Sequence, residues 1–415
     1  MITYPQAIER LVAALKPLPG RALPPGEAVG AGISEPVLSR LNVPDFDNAA
    51  MDGIAVRAAD LVAAAEGLPV SLRVTGVVPA GHRPETGVAA GEAMEIMTGA
   101  PMPPGADTVV PVERITWRDD AAGARFAQVE LPTEAGNNVR RAGEDFVQGD
   151  ELLPAGACLT PEAVMNLAAG GLDTVAVRPL PSVAVITTGS ELASAGAPTG
   201  TGQIRDSNGP YLTAALAPMG GRLAGMHSAA DTPAAVAAAI KAAAGQAELV
   251  LTTGGVSAGK FDCVPAAVAA AGGELVFHKV AIRPAKPILF ASLPGDRWLL
   301  GLPGNPVAVA VGLRFFVAPA LRALRGLAPE QTFTAMSTKR IRKRPGLRFF
   351  GKASATVNAS GQLEVELLPG QESFRVRPLL AANCWAIVDE SRDEVAPGEL
   401  IQVAALHPTA FLQAC

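Results

Sequence analysis

The stretch ELVLTTGGVSAGKFDCV, residues 248–264, decides the fold. It opens as a short apolar run, breaks at two threonines and two glycines, and resumes after Asp262. An apolar run too short for a helix and bounded by glycine reads as a buried strand. The same punctuation closes SVAVITTGSEL, residues 182–192. Two strands that each finish in Thr-Thr-Gly predict two turns at one end of one sheet, and so one pocket. The segments around them alternate. NGPYLTAALAPMG (208–220), DTPAAVAAAIKAAAG (231–245) and DCVPAAVAAAGG (262–273) read as helices, and RLAGMHS, ELVFHKVAI, PILFAS and RWLLGL as strands. Asp231 is the expected N-cap of the second helix, with Pro233 in its first turn and Gly245 at its end. Alternating strands and helices predict a doubly wound, largely parallel sheet covered on both faces.

The flanks differ from this centre. After a helix near Tyr4–Leu15, the first 181 residues are rich in proline, glycine and short alternating stretches such as VSLRVTGVV, and TPEAVMNLAAGG (160–171) returns to a helical pattern. The reading is a multidomain α/β chain. Residues 1–43 with 146–180 form a discontinuous linking domain, 44–145 a β-rich N-terminal module, and 181–327 the α/β domain. Residues 328–415 form a small all-β, barrel-like domain. That last domain begins with a basic run, Lys339, Arg340, Arg342, Lys343 and Arg344, which is either a solvated strand face or an anion-binding surface.

Composition narrows the function. With 49% hydrophobic and 18% charged residues, the 415-residue chain can build large cores. A net charge of −5 argues against nucleic acid as a partner. The four cysteines form no Cys-x-x-Cys pair and the four histidines are scattered, so neither a zinc site nor a disulfide framework is supported. No basic start followed by a long apolar run opens the chain, and the apolar stretch from Pro306 to Leu324 carries Arg314 and Arg322. The expectation is a cytoplasmic protein without a membrane span.

In an open parallel sheet, ligands bind beyond the carboxyl ends of the strands. Thr188, Gly189, Thr253, Gly254 and Gly255 belong there. Glycine lets a ligand approach the backbone, whose N–H groups attract phosphate. Ser257 adds a hydroxyl, and Asp262 is either a helix cap, a ligand-facing acid or both. HKVAIRPAKP (278–287) sets Lys279, Arg283 and Lys286 in a proline-stiffened span, either a phosphate or oxyanion grip or a surface loop. GLPGNPVAVAV (301–311) is a turn entering a helix, with Asn305 as cap. The N-terminal module supplies Asp45, Asp47 and Asp52 in PDFDNAAMDGIAV (44–56), Thr98 in EIMTGAPMPPGADTVVPVE (95–113), and Glu144 and Asp145 in RRAGEDFVQGD (140–150). Loop carboxylates hold Mg²⁺ or are merely solvated. The residues therefore describe an enzyme acting on a phosphorylated small molecule with a divalent metal.

The stretches FDNAAMDGIAV, EIMTGAPMPPGADTVVPVE, RRAGEDF, VAVITTGSEL, GQIRDSN, LVLTTGGVSAGKFD, KVAIRPAKP and GLPGNPV, in this order, resemble the molybdopterin molybdenumtransferase family of the MoeA type, to which the E domain of gephyrin is also similar. The resemblance implies a four-domain protomer and a homodimer with its active site between subunits. It implies a Mg²⁺-dependent reaction in which molybdate and adenylated molybdopterin give molybdenum cofactor and AMP, with no tightly bound organic cofactor. It also implies transient contact with other cofactor-biosynthesis enzymes and with molybdoenzyme apoproteins. Carried over by motif, Glu191 and Asp262 flank the pterin nucleotide and hold Mg²⁺, with Asp231 and Asp206 nearby and Ser257 in the turn. Asp52, Thr98 and Asp145 come from the opposite subunit. Lys279, Arg283 and Lys286 face phosphate or oxyanion, and Lys352 and Ser373 stand near the molybdate. The chain departs from the family pattern at Ala49 and Ile54, at Ala308 and Lys352 (often serine and arginine), and at Arg283 (often lysine). These changes bear on the oxyanion grip. The related sheet domain of pterin adenylyltransferases, with GGxGxTxxD after the threonines, is a second reading, and a non-catalytic gephyrin-like scaffold a third.

Overall fold

The computed structural model describes residues 1–193, 196, 198–256 and 263–408. Helix α1, Tyr4–Ala14, opens the chain with a capping box: the Thr3 hydroxyl accepts the Gln6 N–H while the Gln6 side chain accepts the Thr3 N–H. Sequence puts α1 at the head of the linking domain. Its buried residues Ala7 and Leu11, followed by Leu15, pack into the core shared by the α/β domain and the C-terminal strands, where the Tyr4 ring lies edge-on to Phe316 and Phe350. The linking region has its own small core, from strands Arg21–Leu23, Val175–Arg178 and Gly32–Ile33 and helix Pro161–Ala169. The N-terminal module is a six-stranded sheet, mostly antiparallel, with Val70–Val78 parallel to Glu92–Ile96.

The α/β domain comprises β1 (Ser182–Thr188), α2 (Asn208–Leu216), β2 (Arg222–Ala229), α3 (Pro233–Ala244), β3 (Leu249–Thr253), α4 (Val264–Ala270), β4 (Glu274–His278), β5 (Leu289–Leu293) and β6 (Arg297–Leu302). The sheet order is β2-β1-β3-β6-β5-β4. β1 is parallel to β2 and β3, and β3 to β6; β5 and β4 add an antiparallel edge. Every residue of β1 is buried, as a strand covered on both faces must be. Val183 and Val185 pack towards α1, α2 and the long helix α5 (Pro306–Leu324), while Ala184 and Ile186 pack towards α3 and α4. That alternation places helices on both faces.

Helix α5 starts at Pro306, passes through a π-helical turn at Leu313–Val317 and ends at Leu324. It is long and apolar enough to cross a membrane, yet most of it is buried inside the protein, which makes it the core helix of this domain. Two helix starts differ from expectation. Thr232, not Asp231, caps α3, its hydroxyl accepting the Ala235 N–H. A residue earlier, the Asp231 carboxylate reaches back to the turn after β1 and accepts the Ser190 N–H at 3.0 Å. Asn305 holds the expected N-cap position of α5 but makes no side-chain bond there; the Val307 N–H is met by the Ser373 carbonyl at 3.0 Å.

The C-terminal domain holds β7 (Phe333–Ser337), β8 (Arg348–Val357), β9 (Leu363–Leu367), β10 (Cys384–Val388) and β11 (Leu400–Ala405). Their order β8-β9-β7-β11-β10 closes because β10 also pairs with β8, giving a five-stranded barrel. Closure leaves no free edge within the ring. The short strand Ile282–Arg283 pairs in parallel with the start of β8 and ties the barrel to the α/β domain.

Candidate active-site cleft

The two Thr-Thr-Gly turns meet. β1 and β3 are neighbours in register, with Thr187 opposite Thr253, and the Thr188 hydroxyl donates to the Thr253 carbonyl at 3.0 Å. Gly254 has φ +88° and Gly255 φ +64°, left-handed conformations that side chains rarely adopt. A Cβ on Gly254 would lie 2.9 Å from both the Thr188 carbonyl and hydroxyl oxygens, so the turns touch too closely for anything but glycine. A Cβ on Gly189 would lie 2.9 Å from both Glu191 carboxylate oxygens, so that carboxylate folds back over the first turn.

These turns floor a cleft of about 940 Å³. Glu191, Asp206 and Asp231 line it together. One Asp206 oxygen accepts the Asn208 and Gly209 N–H groups, each at 2.9 Å, and so caps α2. The Asn208 amide in turn donates to the Gly304 carbonyl at 2.8 Å, fixing the turn ahead of α5 on the opposite wall. The Glu191 carboxylate makes no hydrogen bond or ion pair among the described residues. Ser257 and Asp262 lie outside the described residues.

A second cavity of about 640 Å³ adjoins the first and shares Gly255, Gly304, Asn305 and Phe374 with it. Arg283, Lys286 and Arg344 line this half, with Ser373 from the barrel and Ala308 from α5. Ala285, between the two loop cations, is buried with φ +72°, held there by the Ile288 N–H on its carbonyl and by the neighbouring Val280 N–H on the Lys286 carbonyl. A non-glycine residue in this region stores strain that the surroundings must over-determine. The cleft thus has an acidic half with glycine turns and a basic half between domains.

Other predicted residues lie elsewhere. Lys279 sits at φ +67°, its N–H on the Ile288 carbonyl, and lines neither half. Lys352 is fully buried. Its ammonium donates to the Gly370, Arg375 and Glu372 carbonyls at 2.6, 2.9 and 3.3 Å, and burial holds its pKa below the usual lysine value. Its ammonium thus faces the inside of the 370–375 loop. Asp52 and Thr98 meet in the N-terminal module, where the Thr98 hydroxyl and backbone N–H both donate to one Asp52 oxygen at 2.6 Å. Those two bonds lower the Asp52 pKa, the hydroxyl more than the backbone. Asp145 is exposed in the same module. Within one chain none of the three lines the cleft. Sequence reasoning missed Asn208 as a wall brace, Phe374 as a shared lining residue and Arg344 as distinct from its basic neighbours. Only the last carried a signal, and reading the basic run as one unit hid it.

Residues 2–171 match the MoeA N-terminal region (domains I and II), residues 184–323 a probable molybdopterin binding domain, and residues 334–406 the MoeA C-terminal region (domain IV). The molybdopterin molybdenumtransferase of Synechococcus elongatus is 37% identical, over 98% of this chain and all of that one. That of Haemophilus influenzae is 34% identical, over 97% and 98%. The crystal structure of a molybdopterin biosynthesis MoeA protein from Pyrococcus horikoshii OT3 superposes with a TM-score of 0.79 at 27% identity, over 98% of this chain and all of that one.

Proposed function

The chain belongs to the molybdopterin molybdenumtransferase family, enzymes that insert molybdenum during molybdenum-cofactor biosynthesis, and from that premise we propose how its cleft is used. Adenylated molybdopterin lies in the acidic half with its phosphates over the glycine turns, and molybdate enters the basic half. The observation that carries this reading is the junction of two cavities of opposite charge along one floor. A pyrophosphate needs backbone donors; the Gly254 N–H is taken by the Leu302 carbonyl at 3.0 Å, and the N–H groups of Gly189 and Gly255 in the two turns would serve. A tetrahedral dianion needs fixed cations, and Arg283 and Lys286 stand on a stiff loop. The shared residues Gly304 and Asn305 mark where dithiolene and oxyanion would meet.

Mg²⁺ fits the donor set. Among the described residues no three acidic, histidine or cysteine side chains converge as a cage. Mg²⁺ prefers one or two carboxylates, substrate phosphates and retained waters over such a cage. Glu191, whose oxygens are uncommitted, and Asp231, with one oxygen on the Ser190 N–H, would hold it, with Asp262 as a further candidate. When bound it would offset charge on the phosphoanhydride. Of the chain's own residues, Asp206 and Asn208 hold the two walls at a fixed spacing. In this reading Asp52, Thr98 and Asp145 reach the cleft of a second subunit in a homodimer, and the enzyme works in the cytoplasm. None of the three lines the cleft of its own chain, which supports that arrangement. The test is AMP release from adenylated molybdopterin with molybdate and Mg²⁺. AMP formation no faster than in a no-enzyme control refutes the proposal. Strong adenylation of unmodified molybdopterin by ATP would instead favour the adenylyltransferase reading.

A further inference from the structure

The basic run at the start of the barrel sorts itself into partnered and unpartnered cations. Lys339 pairs with Glu366, Arg340 and Arg342 both pair with Glu394 at 2.9 and 3.0 Å, and the Lys343 ammonium donates to the Leu347 carbonyl at 2.8 Å. Arg344 alone of the five has no hydrogen-bond or carboxylate partner among the described residues, and it lines the basic half of the cleft. Its place there is built. The Arg348 N–H bonds to the Ala281 carbonyl at 2.9 Å, and Ile282–Arg283 runs parallel to Arg348–Phe349, so the segment carrying Arg344 is pinned beside the loop carrying Arg283 and Lys286. The one carboxylate in this cavity, Glu372, is paired with Arg375 at 3.1 Å, leaving three uncompensated cations. Two groups expected to grip the oxyanion are absent from this wall: Ala308 offers no hydroxyl, and the Lys352 ammonium is committed to three carbonyls.

We infer that Arg344 contacts the oxyanion and acts as a specificity-determining residue of the basic half, a wall that the Lys352 ammonium does not line. This rests on the reading that molybdate binds there. A guanidinium offers a planar fork of donors to two oxygens of a tetrahedral dianion and stays charged at any working pH. Placed on the barrel while Arg283 and Lys286 sit on the α/β domain, it closes the cation set from the other side of the domain boundary.

The test is equilibrium dialysis of molybdate against the full-length protein, comparing R344Q, R283Q and R340Q with the unsubstituted chain. Arg340 is the control, a cation of the same run that pairs with Glu394 outside the cavity. R344Q is expected to weaken molybdate binding about tenfold, equivalent to about 1.4 kcal/mol. It should also flatten the salt dependence, while R340Q stays within about twofold. Binding by R344Q equal to that of the unsubstituted protein, with R283Q impaired, overturns the role of Arg344 and leaves the oxyanion site standing. No saturable molybdate binding to the unsubstituted protein, or binding that survives both R344Q and R283Q, overturns the oxyanion site and Arg344's part in it together.

Discussion

Replacing Gly254 by alanine tests whether the two turns form one floor. Gly254 sits at φ +88°, and a Cβ there would stand 2.9 Å from the carbonyl and the hydroxyl oxygens of Thr188. Two costs follow. Left-handed backbone costs an L-residue about 1–2 kcal/mol. The contact adds about 1–3 kcal/mol, the range for overpacking, because one obstructing atom is main chain of a central strand and cannot swing aside. Gly295 supplies the control. It lies in the hairpin between β5 and β6 of the same domain at φ +78°, with nothing within 4 Å of the added Cβ. G295A should therefore pay the backbone term alone and G254A both, about 2–5 kcal/mol. At about 2–4 °C per kcal/mol for a domain of this size, the melting temperature of G254A should fall several degrees further than that of G295A. Calorimetry on the two variants reads the difference, and AMP release should survive in G295A and drop at least tenfold in G254A. Equal destabilisation by the two substitutions would refute the claimed contact between the turns. Full activity in G254A would refute the assignment of the turns to the substrate floor.

Lys352→Met leaves three carbonyls of the 370–375 region without their donor. Hydrogen bonds to a charged group contribute about 1.5–3 kcal/mol each, but burying the ammonium is itself costly and the exposed loop can turn its carbonyls to water, so a net loss of about 1–3 kcal/mol is expected. Amide exchange should rise at residues 370–376 and molybdate affinity should fall through the displaced Ser373; unchanged exchange with normal binding would show that the lysine does not hold the loop. Thr98→Val removes the larger of the two hydrogen bonds that lower the Asp52 pKa, so that pKa should rise toward the ordinary aspartate value. Since a depressed carboxyl stabilises the fold above its unfolded pKa and loses that contribution as pH falls through its folded pKa, the variant should lose its share of stability at a higher pH on acidification. A carboxyl NMR titration of Asp52 identical in both proteins would refute the pairing.

The chain's linear pattern settled the central domain. SVAVITTG and LVLTTGG read as buried strands ending in glycine turns because period, length and punctuation are local properties, and they are β1 and β3. Proline placement likewise marked the start of α5 at Pro306. The antiparallel edge formed by β4 and β5 was not legible, since a run such as PILFAS carries no mark of its direction relative to a distant neighbour. Asp231 shows the limit of local rules. It stands one residue before the true cap, and its partner, the Ser190 N–H, is 41 positions away.

Residue types were enough to nominate glycine turns, acids and cations, because those groups bind phosphate, metal and oxyanion wherever they occur. Which of them share a cleft was decided by packing. Closure of the barrel through β8 and β10 buries Lys352 against a loop that has no sequence relation to it. Pairing of Ile282–Arg283 with the start of β8 brings Arg344 beside Lys286, 58 positions apart in the chain, while Glu366, Glu394 and the Leu347 carbonyl take up the rest of the basic run. Charge is a property of a residue, but whether that charge is spent on a neighbour or left for a ligand depends on what the fold sets within about 4 Å of it.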